Sequence, residues 1–210
     1  MENRFMKETI YEKNVVIDTA KKITELCNKL TCYEVKDFCN TKEFKKKDFP
    51  KNGVYVVFEE GETAFGQRRI VRVGTHKRNG RLIARLADHF RHNSLGSSVF
   101  RELVSRALGT NDTKEVSDYM RNNMSFAVIP IDNKKDRLLV EEKIIATLSW
   151  WAFFNKDKAH SKDWIGKDLY DENNPKSTDQ QISEFGLWLS DGLLKPPVTS
   201  DEDEIYKYLK

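Results

Sequence analysis

Apolar residues recur through the first fifty positions at the spacing of one helix face: Val16, Ala20, Ile23, Cys27 and Leu30 fall three or four apart, the interval at which helical side chains line up. The lysine-rich stretch NTKEFKKKDFPKNG follows, and Pro50 and Gly53 mark the start of something new. The period then changes. GVYVVFEEG and RRIVRVGTH are rich in β-branched and aromatic residues and flank a segment that holds Gly61 and Gly66. This predicts an antiparallel hairpin with strands near 53–59 and 69–75. Alternation puts Tyr55 on the face opposite Val54, Val56 and Phe58, and gives Arg72 and Gly74 a common face of the second strand.

Helical spacing returns with Leu82, Ile83, Leu86 and Phe90, and again from Ser98 through Phe100, Leu103, Val104, Ala107 and Leu108, where Gly109 supplies a stop. Asp112 and Glu115 stand at capping-box spacing ahead of a short helix, MSFAVIPI reads as a third strand, and a long helix is predicted over about 137–153. Past Asn155 the chain is polar and turn-rich, with FGLWLSDGLL and KPPV before the acidic run Asp201–Glu204. An irregular wrap on the core with a frayed end is expected there. The order of elements predicts a mixed α/β (α+β) fold, a small antiparallel three-stranded sheet flanked by helices. Its expected divisions are an N-terminal helical extension over 1–49, a central domain over 50–156, and a C-terminal wrap with an acidic tail over 157–210.

Composition adds limits. A chain of 210 residues, 39% hydrophobic, suffices for one compact core. No apolar run approaches the roughly 18 residues needed to span a bilayer, and MENRFMKETIYEKN lacks the apolar stretch of a secretion signal, so a cytoplasmic protein without a membrane partner is expected. Cys27, Cys32 and Cys39 have neither CxxC couplets nor nearby histidines, and are expected to be reduced thiols at the core. The net charge of +3 conceals an asymmetry: between Gln67 and Arg101 nine Lys and Arg side chains stand against one acid, Asp88.

Candidate chemistry lies in that basic region and on the last helix. Arg85 and His89 are four apart on one helix face, and a guanidinium beside an imidazole suits phosphate binding and proton movement; a solvent-facing pair is the plainer alternative. Glu141 is the only acid on the stripe Leu138, Glu141, Ile144, Ile145, Leu148, Trp151 and Ala152. Burying a carboxylate costs several kcal/mol, so it should meet an arginine, a cleft edge or an oxygen-seeking divalent cation such as Mg2+ or Mn2+. Glu142 has the more polar neighbourhood. Gly61 and Gly66 have the spacing of a P-loop, but Gln67 and Arg68 stand where Lys and Ser or Thr are required, so no nucleotide cofactor is expected.

Taken together, GVY at 53–55, RVG at 72–74, the Arg85 and His89 pair, and VEEKII at 140–145 resemble, in order, the GIY, YIG, RxxxH and LExxLI elements of the GIY-YIG endonucleases. FFN places Asn155 near that family's late asparagine, and the likeness covers about 50–156. The segments RIVRVGTH and GSSVFRELVSRALG are similar to those of bacterial members. The resemblance implies a metal-dependent cut of DNA phosphodiesters. In it Tyr55 activates water, Arg85 holds the scissile phosphate, His89 moves or orients a proton, and Glu141 anchors one Mg2+ or Mn2+. Arg72, Lys77, Arg78, Arg81 and Asn155 would contact DNA, making binding salt dependent. Two departures stand out: Arg72 replaces the second motif's tyrosine, and the gap from Tyr55 to Arg72 is long. His76, just after Gly74, stands where it could take over part of that tyrosine's role; a loop histidine at the surface is the plainer alternative. A binding module of the same fold without catalysis, or a protein-interaction module, are the alternatives.

Overall fold

The computed structural model describes residues 2–41, 44, 46–91, 94–154 and 206–209. In chain order the elements are α1 (Glu2–Lys29), β1 (Cys32–Glu34), α2 (Val35–Cys39), β2 (Gly53–Ala64), β3 (Gln67–Gly74), α3 (Leu82–Phe90), α4 (Val99–Leu108), α5 (Thr113–Asn123), β4 (Met124–Pro130) and α6 (Lys134–Phe154). The strands form one antiparallel sheet in the order β1-β4-β2-β3, flanked by helices. The expected mixed architecture is present, with four strands where the pattern predicts three.

The fourth strand, Cys32–Glu34, is three residues long, too short to show an alternation of its own. Pairing makes it a strand: Cys32, Tyr33 and Glu34 oppose Ala127, Phe126 and Ser125, and the Tyr33 ring stacks on Phe126 at 5.5 Å between centroids. The same Phe126 stacks on Phe90 at the end of α3 at 5.7 Å and takes Phe38 edge-on at 5.4 Å. Such pairs contribute roughly 0.5–1.5 kcal/mol each beyond their burial, and they fix the C-terminal end of α3 against the sheet.

The hairpin is longer than its sequence pattern, running to Ala64 and resuming at Gln67. Its turn residues Phe65 and Gly66 both have positive φ, 54° and 72°, as a tight hairpin turn of matching twist requires. Glycine takes that conformation freely; Phe65 is held in it by packing on Trp151, with centroids 4.9 Å apart. Helix ends follow their signals. Ser98 Oγ accepts from Arg101 N at 3.1 Å, Gly109 closes α4 with φ 66°, and Asp112 Oδ1 accepts from Lys114 N at 2.8 Å.

Helix α6 differs from the single-stripe reading. Val140, Lys143, Ile144, Ile145, Ala146, Thr147, Leu148, Ser149 and Trp151 are all buried, because α6 packs against both α1 and strands β2 and β3. Its polar side chains bond within the helix, Thr147 Oγ1 to Lys143 O at 2.9 Å and Ser149 Oγ to Ile145 O at 2.7 Å. The last described residues are packed where fraying is expected: Tyr206 and Leu209 are buried, Lys22 Nζ lies 3.5 Å from the Tyr206 ring centroid, and the Tyr208 hydroxyl donates to Asp136. Asn155, FGLWLSDGLL, KPPV and the acidic run lie outside the described residues. Among the described residues no helix is long and apolar enough to cross a membrane.

Candidate active site

Strand register builds the centre of the site. Tyr55 of β2 pairs with Gly74 of β3, and Arg72 pairs with Val57 one step along the same face. The Tyr55 ring lies flat across the strand at Gly74: a Cβ there would fall 2.2 Å from the Tyr55 hydroxyl and 2.4 Å from Cζ. Only glycine permits this approach. Beyond it, Tyr55 Oη reaches His89 Nε2 on α3 at 2.6 Å. Both residues are fully buried, and the imidazole is packed edge-on against Phe100 at 5.6 Å. Arg101 of α4 fixes the backbone beneath, donating to His89 O at 3.0 Å.

Two guanidiniums act on the same phenol oxygen. Arg72, 1% exposed, lies 5.2 Å from the Phe100 ring centroid. Arg85, half-buried and one turn before His89, joins it in charge and in hydrogen bonding to Tyr55. A guanidinium only donates, so the phenol hydrogen has one acceptor within this group, His89 Nε2. Burial drives the His89 pKa well below the ordinary histidine value, and Arg72, Arg85 and Arg101 push the same way. The imidazole is neutral, with Nε2 bare and the proton on Nδ1, which has no partner among the described residues. Burial raises the Tyr55 pKa, opposed first by Arg72 and then by Arg85, so the phenol keeps its proton at neutral pH.

Glu141 enters from α6. Its Oε1 accepts the Thr75 amide at 2.9 Å, and Thr75 Oγ1 donates to Gly53 O at 2.7 Å, tying the end of β3 to the start of β2. Burial raises the Glu141 pKa, while the Thr75 amide, Arg72 and Arg85 work against that rise. The described residues contain no cluster of three or more His, Cys, Asp or Glu suited to a metal, which rules out an all-protein cage within them. A single carboxylate with one oxygen engaged by a backbone amide still fits Mg2+ or Mn2+, since these ions take one or two carboxylates and complete their shell with substrate phosphate oxygens and water.

The structure therefore brings Arg72 and Arg85 within electrostatic reach of Tyr55, His89 and Glu141 alike. His76 belongs to the loop after β3 instead: its Nδ1–H donates to Arg78 O, which leaves Nε2 buried without a partner among the described residues. Lys77, Arg78 and Arg81 are exposed on that loop, whereas Arg72, read from sequence as a DNA contact, is buried beside Tyr55. Arg101 and Arg137 escaped the sequence reading. Both are fully buried cations bonded to backbone carbonyls, an arrangement with no local pattern; the one available sign is that Arg137 precedes Glu141 by a single helical turn.

No curated protein and no solved structure matches the chain. A protein-family model described as a GIY-YIG domain matches residues 18–119, taking in Tyr55, Arg72, His76, Arg85 and His89 and ending before Glu141. That match identifies residues 18–119 as a GIY-YIG domain, a nuclease-type fold.

Proposed function

We propose that the protein is an endonuclease that hydrolyses DNA phosphodiester bonds with the help of a divalent metal ion. The observation that carries this reading is the 2.6 Å contact between a protonated Tyr55 and a neutral His89 beside two arginines. That is a proton path whose oxygen end is held in positive potential. As an attacking water gives its proton to the Tyr55 oxygen, the phenol hydrogen passes to His89 Nε2, so the net transfer is from water to imidazole, with the negative charge of the bound phosphate offsetting the arginines that otherwise keep His89 neutral. Arg72 and Arg85 stabilise the phenolate character that develops between the two events.

Arg85, the half-exposed member of the group, is the guanidinium suited to hold the scissile phosphate, which it can grip with two parallel hydrogen bonds. A phosphate that draws it outward also opens the buried Tyr55 oxygen to water. Glu141 would hold the Mg2+ or Mn2+, whose contribution when bound is to polarise the phosphate and stabilise the leaving oxygen. Lys77, Arg78 and Arg81 supply backbone contacts to the polyanion, and His76 shapes the loop that carries them.

The second reading, a DNA-binding module without catalysis, is favoured by one feature, the full burial of Tyr55 with Arg72 in place of a motif tyrosine. Duplex DNA cleavage in Mg2+ or Mn2+ at low salt separates the two. The nuclease reading expects cutting by the parent, and a Tyr55→Phe protein that still binds but cuts on the order of 10²–10⁴-fold more slowly. Binding without cutting by the folded parent supports the module.

A further inference from the structure

Helix α6 grips the loop after β3 at two points, and both lie on one helix face. Glu141 takes the Thr75 amide at 2.9 Å. Four residues earlier, Arg137 donates through Nη2 to His76 O at 3.4 Å and to Asn79 Oδ1 at 3.1 Å, while Nη1 reaches back to Ile131 O at 3.2 Å and Asp132 O at 2.7 Å. Residues spaced i and i+4 project together, so one turn of α6 anchors both the start of the loop and its middle. The far side is held by Asn52, whose Oδ1 accepts the Gly80 amide at 2.7 Å and whose Nδ2 donates to Asp132 Oδ1 at 3.0 Å.

Arg137 is 0% exposed, a costly place for a guanidinium unless its donors are met. Its Nη1 and Nη2 make four bonds to two segments that no strand pairing joins, the β4–α6 turn and the loop over 75–81, while Nε has no partner among the described residues. What this bonding leaves to solvent is the set of cationic side chains Lys77, Arg78 and Arg81. A loop ordered before binding spares the entropy that a floppy one loses on meeting its partner.

We infer that Arg137 is a positioning residue for DNA: by fixing the loop, it holds Lys77, Arg78 and Arg81 in a set register to the Glu141 end of the site. The inference rests on the DNA-cleaving reading and names the part of the protein that supplies substrate affinity for it. It assigns Arg137 to binding and leaves the Tyr55–His89 proton path untouched.

The test compares the parent with Arg137→Met, Arg137→Lys and Asn79→Ala. Asn79 is exposed and its loss leaves α6 intact, so this last variant keeps the test alive if Arg137→Met does not fold. Affinity for duplex DNA without metal, single-turnover cleavage in Mg2+, and amide hydrogen exchange over 76–81 are measured on each. Expected are faster loop exchange in Arg137→Met, with Kd and KM raised about tenfold or more and kcat changed by no more than about threefold. Arg137→Lys should recover part of the affinity, and Asn79→Ala should lose a smaller part in the same direction. Parental affinity in the folded Arg137 and Asn79 variants, or a loss confined to kcat, overturns the inference alone. A parent that binds no duplex DNA at low salt overturns the DNA-cleaving reading and this one with it.

Discussion

The two ends of the β2–β3 hairpin each gather a tyrosine with glutamate and arginine side chains, buried or half-buried, yet they are built to opposite ends. At the turn end, Arg69 Nη1 lies 3.7 Å from Glu62 Oε2, the Tyr119 hydroxyl donates to Glu59, and the Trp151 ring centroid stands 5.6 Å from the Arg69 guanidinium. Burial draws the Arg69 pKa down to about 10, and Glu62 and Glu59 oppose that fall. One cation there answers to two acids. At the open end the charges acting on Tyr55 are two guanidiniums, Arg72 and Arg85, and one carboxylate, Glu141. The first cluster sets two acids against one cation; the second carries a cationic excess that an anion would balance. Buried charge by itself marks neither structure nor function, and what separates the two ends is the sign of the excess: acidic at the turn, cationic at the open end.

Exchanging the two buried strand arginines for methionine is the sharpest way to break this comparison. Arg72→Met removes a cation that Arg85 repels and leaves a side chain of similar size, so stability should change little, while cleavage falls by about 10²–10³-fold with the loss of charge beside the Tyr55 oxygen. Arg69→Met removes the guanidinium beside buried Glu62 and Glu59 and should cost roughly 3–5 kcal/mol of stability, with cleavage by the folded fraction near that of the parent. Denaturant unfolding and cleavage rates, measured on both proteins, read the contrast; equal stability losses would erase it.

A smaller effect is expected from Gly74→Ala. The added methyl meets the Tyr55 hydroxyl at 2.2 Å, and relief requires moving the ring or spreading the strands, at a cost of roughly 1–3 kcal/mol. Displacing the ring also lengthens the contact to His89, so cleavage should fall further than stability alone explains. Alanine at Gly61 or Gly66 meets no atom within 4 Å and should leave cleavage unchanged, although both positions have positive φ, 83° and 72°.

The pH dependence of stability is the mildest of these tests. The unfolded chain takes up a proton on histidine near pH 6.5, whereas burial and three arginines hold folded His89 neutral to much lower pH. Stability from this group is therefore whole above about pH 6.5 and declines as pH falls below it, by up to about 1.4 kcal/mol per pH unit. His76, also lowered by burial, adds to the same decline. Melting temperatures at pH 7, 6 and 5 should drop more steeply for the parent than for His89→Gln, and parallel curves would show that His89 takes its proton as readily folded as unfolded.

Much of the fold is legible in the sequence because local chemistry writes it. The hairpin follows from β-branched runs, α4 and α5 from Ser98, Gly109 and Asp112, and β4 from MSFAVIPI. β1 is not legible, since three residues carry no period and the strand exists only through its pairing with β4. Nor is the burial of α6, whose Lys143, Thr147 and Ser149 look like a solvent face until the helix packs against α1 and the sheet. Within the site, helical spacing links Arg85 to His89 and an out-of-place acid marks Glu141. Register alone reveals why Gly74 lies against Tyr55, and long-range bonds to carbonyls alone reveal Arg101 and Arg137. The replacement of a motif tyrosine by Arg72 is visible in the sequence; its burial beside Tyr55 is not.

The central claim is that the cationic end of the hairpin acts on phosphodiesters. Its most direct test is cleavage of plasmid, linear and branched DNA in Mg2+ or Mn2+ at low salt by the parent, Glu141→Ala and Arg85→Ala. Metal-dependent cutting by the parent that both substitutions abolish, with all three proteins folded, is the result predicted here. A folded parent that binds these DNAs and cuts none of them, or cutting that survives both substitutions, would contradict it.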